Sequence, residues 1–185
     1  MIMRRALALV LLLACGAGDT KSQPAPARDP VATMARIADL PDNDERRALV
    51  GSLRRSPADQ VHPLLTAGFA SPLANHRSAA AMVAGRRGDG QKFLAELINA
   101  AADVDPVVRI SAARALGSLR AADAFPALQY NLTHESVPVR LSALRALAHI
   151  DPDRAAAMPE LASLQLDPNP LVSSAATKVA RKTLQ

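Results

Sequence analysis

Beyond residue 30 the apolar positions recur with helical spacing, and the whole arrangement recurs every thirty-odd residues. NHRSAAAMVAG begins at Asn75, VVRISAARALGSL at Val107, PVRLSALRALAHI at Pro138 and LVSSAATKVARKTL at Leu171. Arg77, Arg109 and Arg140 are 32 and 31 residues apart, Ser173 follows 33 later, and Arg46 precedes Arg77 by 31. Five segments therefore share one register, with Arg46, Arg77, Arg109, Arg140 and Ser173 as its register residues. Three, six and seven positions after each of these fall Leu49, Ser52 and Leu53; Ala80, Val83 and Ala84; Ala112, Ala115 and Leu116; Ala143, Ala146 and Leu147; and Ala176, Val179 and Ala180. On a helix these positions form one face, and their apolar character predicts that this face is packed.

A second set of apolar segments alternates with the first: ADQVHPLLTAGF from Ala58, QKFLAELINAAA from Gln91, ADAFPALQYNL from Ala122 and RAAAMPELASL from Arg154. A shorter one, VATMARIADL from Val31, precedes them all. Pro63, Pro126 and Pro159 fall in register and are expected in first helical turns, where a missing amide hydrogen costs little. Each unit thus reads as helix, turn, helix. One such pair cannot bury its apolar face alone, whereas stacked pairs share a continuous core.

The turns read Asp105-Pro106-Val107-Val108-Arg109, Glu135-Ser136-Val137-Pro138-Val139-Arg140 and Asp167-Pro168-Asn169-Pro170-Leu171-Val172. With the helices around them they resemble the HEAT-like repeats of bilin lyases and many bacterial scaffolds, over nearly all of residues 31–185. The resemblance implies an all-α fold, a right-handed alpha-alpha superhelix of about five helix pairs, with units near 31–56, 57–88, 89–120, 121–151 and 152–185. It also implies a ladder between neighbouring repeats, with Asp105, Glu135 and Asp167 in the acid place and Arg77, Arg109 and Arg140 in the arginine place. Ser173 stands where the last arginine would be, as suits a terminal unit with no further neighbour.

In such repeats the second helix of each pair lines the concave surface. Its free face is predicted one, five and eight positions after the register residue: Arg47, Gly51 and Arg54; Ser78, Met82 and Gly85; Ile110, Arg114 and Gly117; Leu141, Arg145 and Ala148; Ser174, Lys178 and Arg181. Arg114, Arg145 and Lys178, bordered by Ile110, Leu141 and Met82, then form a mixed basic and apolar surface for an acidic or extended protein segment. Arg54, Arg55, Arg86, Arg87, Arg120, Arg181 and Lys182 fall at predicted helix ends, where the helix dipole favours cations.

The amino terminus has a different build. Met1 to Arg5 carries two positive charges, Ala6 to Ala14 is an uninterrupted apolar run, and Cys15 is the single cysteine of the chain. The run is too short to span a bilayer and has the form of a secretory signal. Leu12-Leu13-Ala14-Cys15 resembles the bacterial lipobox, which implies cleavage after residue 14 and lipid attachment at Cys15. Gly16 behind the cysteine resembles the sorting pattern for the outer membrane, facing the periplasm, in a Gram-negative cell. Residues 15–30 then form a Gly-, Pro- and Ala-rich tether spanning roughly 20 Å.

Composition narrows the chemistry. Hydrophobic residues make up 49% of the chain but aromatics only 2%, with no Trp, so the core is built from Ala, Leu, Val and Ile. Surfaces that stack bases or sugars rely on aromatic rings and are disfavoured. The net charge of +5 includes Arg4 and Arg5 of the predicted leader, so the mature charge is milder. His62, His76 and His149 are scattered, and His134-Glu135 is a single pair that cannot assemble a two-metal site, so neither metal nor cofactor is expected. Gly85-Arg-Arg-Gly-Asp-Gly90 lacks a preceding strand and a following Gly-Lys-Ser/Thr, and reads as a flexible link between repeats. Asn131-Leu132-Thr133 is a formal glycosylation acceptor within a predicted helix. These features predict a membrane-tethered scaffold for a protein partner rather than an enzyme. A lyase-like or chromophore-related accessory role ranks second, and nucleic-acid binding through a basic concave face third.

Overall fold

The helices begin where local chemistry stops the chain from continuing as a turn. Asp29 accepts the amide hydrogen of Val31 at 3.0 Å, and Pro30 supplies the fixed backbone angle of a first helical residue. Asn43 caps the next helix through Arg46 at 2.8 Å, Asp105 accepts from Val107 at 2.8 Å, and Asn169 accepts from Leu171 at 3.0 Å. Each cap satisfies an amide that the helix itself leaves unbonded.

The computed structural model describes residues 29–182 apart from residue 42, and among these there is no strand. The helices form pairs in chain order. α1 (Pro30–Asp39) pairs with α2 (Asp44–Arg55), and α3 (Ala58–Phe69) with α4 (Ala74–Ala84). α5 (Leu94–Ala100), entered through a 3₁₀ turn at Gly90–Phe93, packs on α6 (Pro106–Ser118). α7 (Phe125–Tyr130), between 3₁₀ turns at Ala122–Ala124 and Asn131–Thr133, packs on α8 (Val137–Ile150). In the last pair α9 (Pro152–Ala156) and α10 (Glu160–Gln165) share the outer place, against α11 (Pro170–Lys182). The second helices α4, α6, α8 and α11 lie side by side in sequence order as an inner layer. This is an all-α solenoid. The predicted signal, Cys15 and nearly all of the predicted tether lie outside the described residues, the first helix starting at Pro30.

The outer helices are more broken than their apolar patterns predict. Pro63 sits inside α3 rather than in its first turn, because the helix already begins at Ala58. Pro159 interrupts the segment from Arg154 and becomes the cap of a separate helix, α10. Pro126 does occupy the first turn, in α7.

Predicted core positions of the inner helices are buried throughout the central repeats: Ala80, Val83, Ala84, Ala112, Ala115, Leu116, Ala143, Ala146 and Leu147. The predicted free face is narrower than expected. Ser78, Gly85 and Gly117 are buried, and Ile110, Leu141 and Ala148 are half-buried. An inner helix has a neighbour on each side as well as an outer helix behind it, so only one stripe stays open. That stripe runs five and nine positions after the register residue: half-buried Met82 and exposed Arg86, then Arg114 and Ser118, then Arg145 and His149.

Small residues set the helix spacing. A Cβ on Gly85 would lie 2.5 Å from the Cα of Ala115, and one on Gly117 would lie 3.0 Å from the Cα of Ala146. Beside the first contact the hydroxyls of Ser78 and Ser111 share a buried hydrogen bond of 2.8 Å. α4, α6 and α8 therefore pack backbone against backbone, which an Ala- and Gly-rich face permits and a Leu-rich one does not.

Candidate partner-binding surface

What can bind is determined first by which charges the fold has already used. Each register arginine from the second repeat to the fourth donates to the carbonyl six residues before it: Arg77 to Ser71 at 3.0 Å, Arg109 to Asp103 at 2.5 Å and Arg140 to His134 at 2.9 Å. The rest of each guanidinium reaches into the next repeat. Arg77 grips both carboxylate oxygens of Asp103 at 2.7 and 2.8 Å, and Arg140 grips those of Asp167 at 2.8 and 3.0 Å. These guanidiniums hold both carboxyls below the usual 3.8, although burial pulls the other way. Arg109 makes no ion pair with an acid among the described residues. It donates to the Oδ1 of Asn131 at 2.7 Å, while the fully buried Asn131 amide donates to Ala101 O at 2.7 Å.

The ladder therefore exists, with two of its three predicted acids corrected. Asp105 is spent on capping α6, and Asp103, two residues earlier, makes the rung. In the last repeat Asp167 makes the rung and Asn169 the cap, so the rung acid stands six residues before the next register residue, as a tighter alignment of the turns would have indicated. In the fourth repeat that place is His134, whose Nδ1 accepts from Ser136 at 3.0 Å, and Glu135 offers Arg140 only its backbone carbonyl, at 2.8 Å. Asn131 fills the gap from the preceding 3₁₀ turn, and its burial there closes it to glycosylation.

Gly85–Gly90 is not a flexible link. Arg87, with a side chain only 5% exposed, donates to the carbonyls of Leu53 at 2.6 Å and Ser56 at 3.0 Å, capping the end of α2 one repeat back. It also clasps both oxygens of Asp89 at 2.8 and 2.9 Å, and Asp89 meets the Nε2 of His62 at 2.7 Å. The His62 ring stands edge-on to Phe93, 5.1 Å between centroids. Arg87 beside it, with a smaller contribution from His62, holds the Asp89 carboxyl well below the usual range. Beyond the Arg87–Asp89 pair itself no local pattern marks this cluster, because its other partners lie 27 to 34 residues away.

Arg86, Arg114 and Arg145 remain exposed, and none has an acidic partner among the described residues. They rim two shallow depressions. One, about 170 Å³, lies between α4 and α6 and is lined by Arg47, Met82, Gly85, Arg86, Ser111, Arg114, Ala115 and Ser118. The other, about 250 Å³, lies between α6 and α8 and is lined by Arg114, Gly117, Ser118, Ser142, Arg145, Ala146 and His149. Arg114 and Ser118 belong to both, and no carboxylate among the described residues lines either. Of the predicted surface residues the fold brings together Arg114, Arg145 and Met82. Lys178 is exposed on α11 but lines neither depression, and Ile110 and Leu141 turn partly into the packing. Arg86 lies just past the end of α4, as its assignment to a helix end predicted, and also lines the first depression. Among the described residues no group of three or more His, Cys, Asp or Glu side chains is placed to hold a metal ion.

Stacked helix pairs, tied at each junction by an arginine and presenting an open flank, define an α-helical repeat protein. Residues 94–181 match the family model described as HEAT repeats, and this match together with the helical fold supports a HEAT-like repeat protein. HEAT repeats commonly mediate protein–protein interaction. No curated protein matches the chain significantly.

Proposed function

We propose that this protein is a lipid-anchored, non-enzymatic scaffold of the bacterial cell envelope that holds a protein partner against the flank of α4, α6 and α8. The observation that carries the reading is the row Arg86, Arg114 and Arg145: exposed guanidiniums just past the end of α4 and on α6 and α8, with no acidic partner among the described residues. Other arginines of these helices are consumed by repeat junctions, so the leftover row is available for a ligand. Like charges in a row repel one another, and an acidic surface relieves that repulsion while steering the encounter.

Anchoring rests on the lipobox-like run ending at Cys15 and the apolar run before it. Two or three acyl chains, at about 0.8 kcal/mol per buried methylene, hold such a protein stably at a membrane. In a Gram-negative cell Gly16 favours the outer membrane, with the solenoid in the periplasm. Charge reversal at Arg114 and Arg145 together is expected to abolish recovery of the envelope partner on the immobilised protein while leaving the melting temperature unchanged. Undiminished recovery refutes the surface. Cys15→Ala is expected to move the protein from the membrane to the soluble fraction, and retention at the membrane refutes the anchor.

A further inference from the structure

The two depressions share a construction that specifies more than a preference for negative charge. Each has cations from neighbouring helices at its rim, Arg86 and Arg114 for the first, which Arg47 of α2 also lines, and Arg114 and Arg145 for the second. Each has serine at its edge and a floor of glycine against alanine, Gly85 on Ala115 and Gly117 on Ala146. Such a floor is shallow and nearly backbone-like. Each depression therefore suits a carboxylate held between guanidiniums of neighbouring helices.

The two seats repeat with the inner helices, whose axes lie about 8–10 Å apart in packed layers. A ligand crossing the helices must present carboxylates at that interval on one face. In a β-strand same-face residues are about 6.7 Å apart and then about 13 Å, so neither interval fits. A polyproline II segment rises about 3.1 Å per residue with three residues per turn, which returns every third side chain to the same face after about 9.3 Å.

Resting on the proposed basic surface, we infer that the partner segment is an acidic polyproline II stretch with a carboxylate at every third residue. It crosses α4, α6 and α8 and seats one carboxylate in each depression. Arg114 serves both seats and therefore contributes more than either flanking arginine.

The test uses the full-length chain in detergent, at low salt, with fluorescent synthetic peptides of equal charge followed by anisotropy. One peptide repeats Glu-Pro-Pro, one alternates Glu with Thr, and one is an Ala-based helix with Glu at every seventh position. The Glu-Pro-Pro peptide is expected to bind at least tenfold more tightly than the other two. Arg114→Ala is expected to weaken it by about tenfold or more, and Arg86→Ala or Arg145→Ala by a smaller factor each. All three side chains are exposed, so unchanged circular dichroism and melting temperature verify folding in every variant. Equal or tighter binding of the alternating or helical peptide, with the same dependence on Arg114, overturns the spacing and leaves the basic surface standing. Binding indifferent to all three arginines, or absent for every acidic peptide, overturns the surface and the inference together.

Discussion

Arg86 and Arg87 carry the same charge side by side, yet one guanidinium faces solvent and the other is almost enclosed, bound to two carbonyls of the preceding repeat and to Asp89. Removing one partner of such a pair leaves an uncompensated buried charge. Asp89→Asn is expected to destabilise the fold by about 2–3 kcal/mol, read as a drop in denaturant midpoint, because Arg87 keeps its burial and loses its counter-charge. Arg86→Ala, one residue away and exposed, is expected to stay within about 0.5 kcal/mol. Equal effects of the two changes would show that the clasp carries no more than a surface ion pair. Neither outcome is legible locally: Arg86-Arg87-Gly88-Asp89 reads as a charged loop until residues 53, 56 and 62 are brought to it.

At the scale of the helix, glycine has opposite values in different places. Gly51 lies inside α2 with nothing within 4 Å of where a Cβ would stand. Gly51→Ala is therefore expected to stabilise by about 0.5–1 kcal/mol through the unfolded chain's lost freedom. Gly85→Ala would set its Cβ 2.5 Å from the Cα and Cβ of Ala115, atoms that cannot move without displacing α6. The expected cost is about 1–3 kcal/mol, measured by the same denaturant titration, and a neutral result would mean that the inner layer slides freely. Helical periodicity found the packed faces of α4, α6 and α8 but overestimated their free faces. Period alone cannot tell how many neighbours a helix has, and Ser78, Gly85 and Gly117 are buried by lateral contacts with the next repeat.

Across the whole molecule an arginine ties each repeat to the next: Arg87 to the end of α2, Arg77 to Asp103, Arg109 to Asn131, and Arg140 to Asp167. Three of these ties include a carboxylate held below its ordinary 3.8, and one is neutral. For a carboxyl lowered on folding, the stabilisation is complete above its unfolded value and disappears as pH falls through the folded one. Stability is therefore expected to fall below about pH 4. The loss should concentrate at the junctions of Asp89, Asp103 and Asp167, sparing the Arg109–Asn131 junction between α6 and α8. Hydrogen exchange near pH 3 tests this, with slower exchange expected where α6 meets α8 than where α8 meets α11. Uniform loss along the array would indicate that the carboxylate ties do not govern acid unfolding. Because each repeat touches mainly its neighbours, weakened junctions are expected to open separately.

The repeat length, the alternation of outer and inner helices and the apolar face of each inner helix were determined by the sequence alone, because all three are periodic and short-range. Which acid serves which arginine was decided by the tertiary structure. Asp103 and Asp105 are chemically alike, and only the capping of α6 assigns one to the helix and the other to the neighbouring repeat. The same is true of the candidate surface, since a cation is left for a partner only after the fold has spent the others on contacts many residues away in the chain.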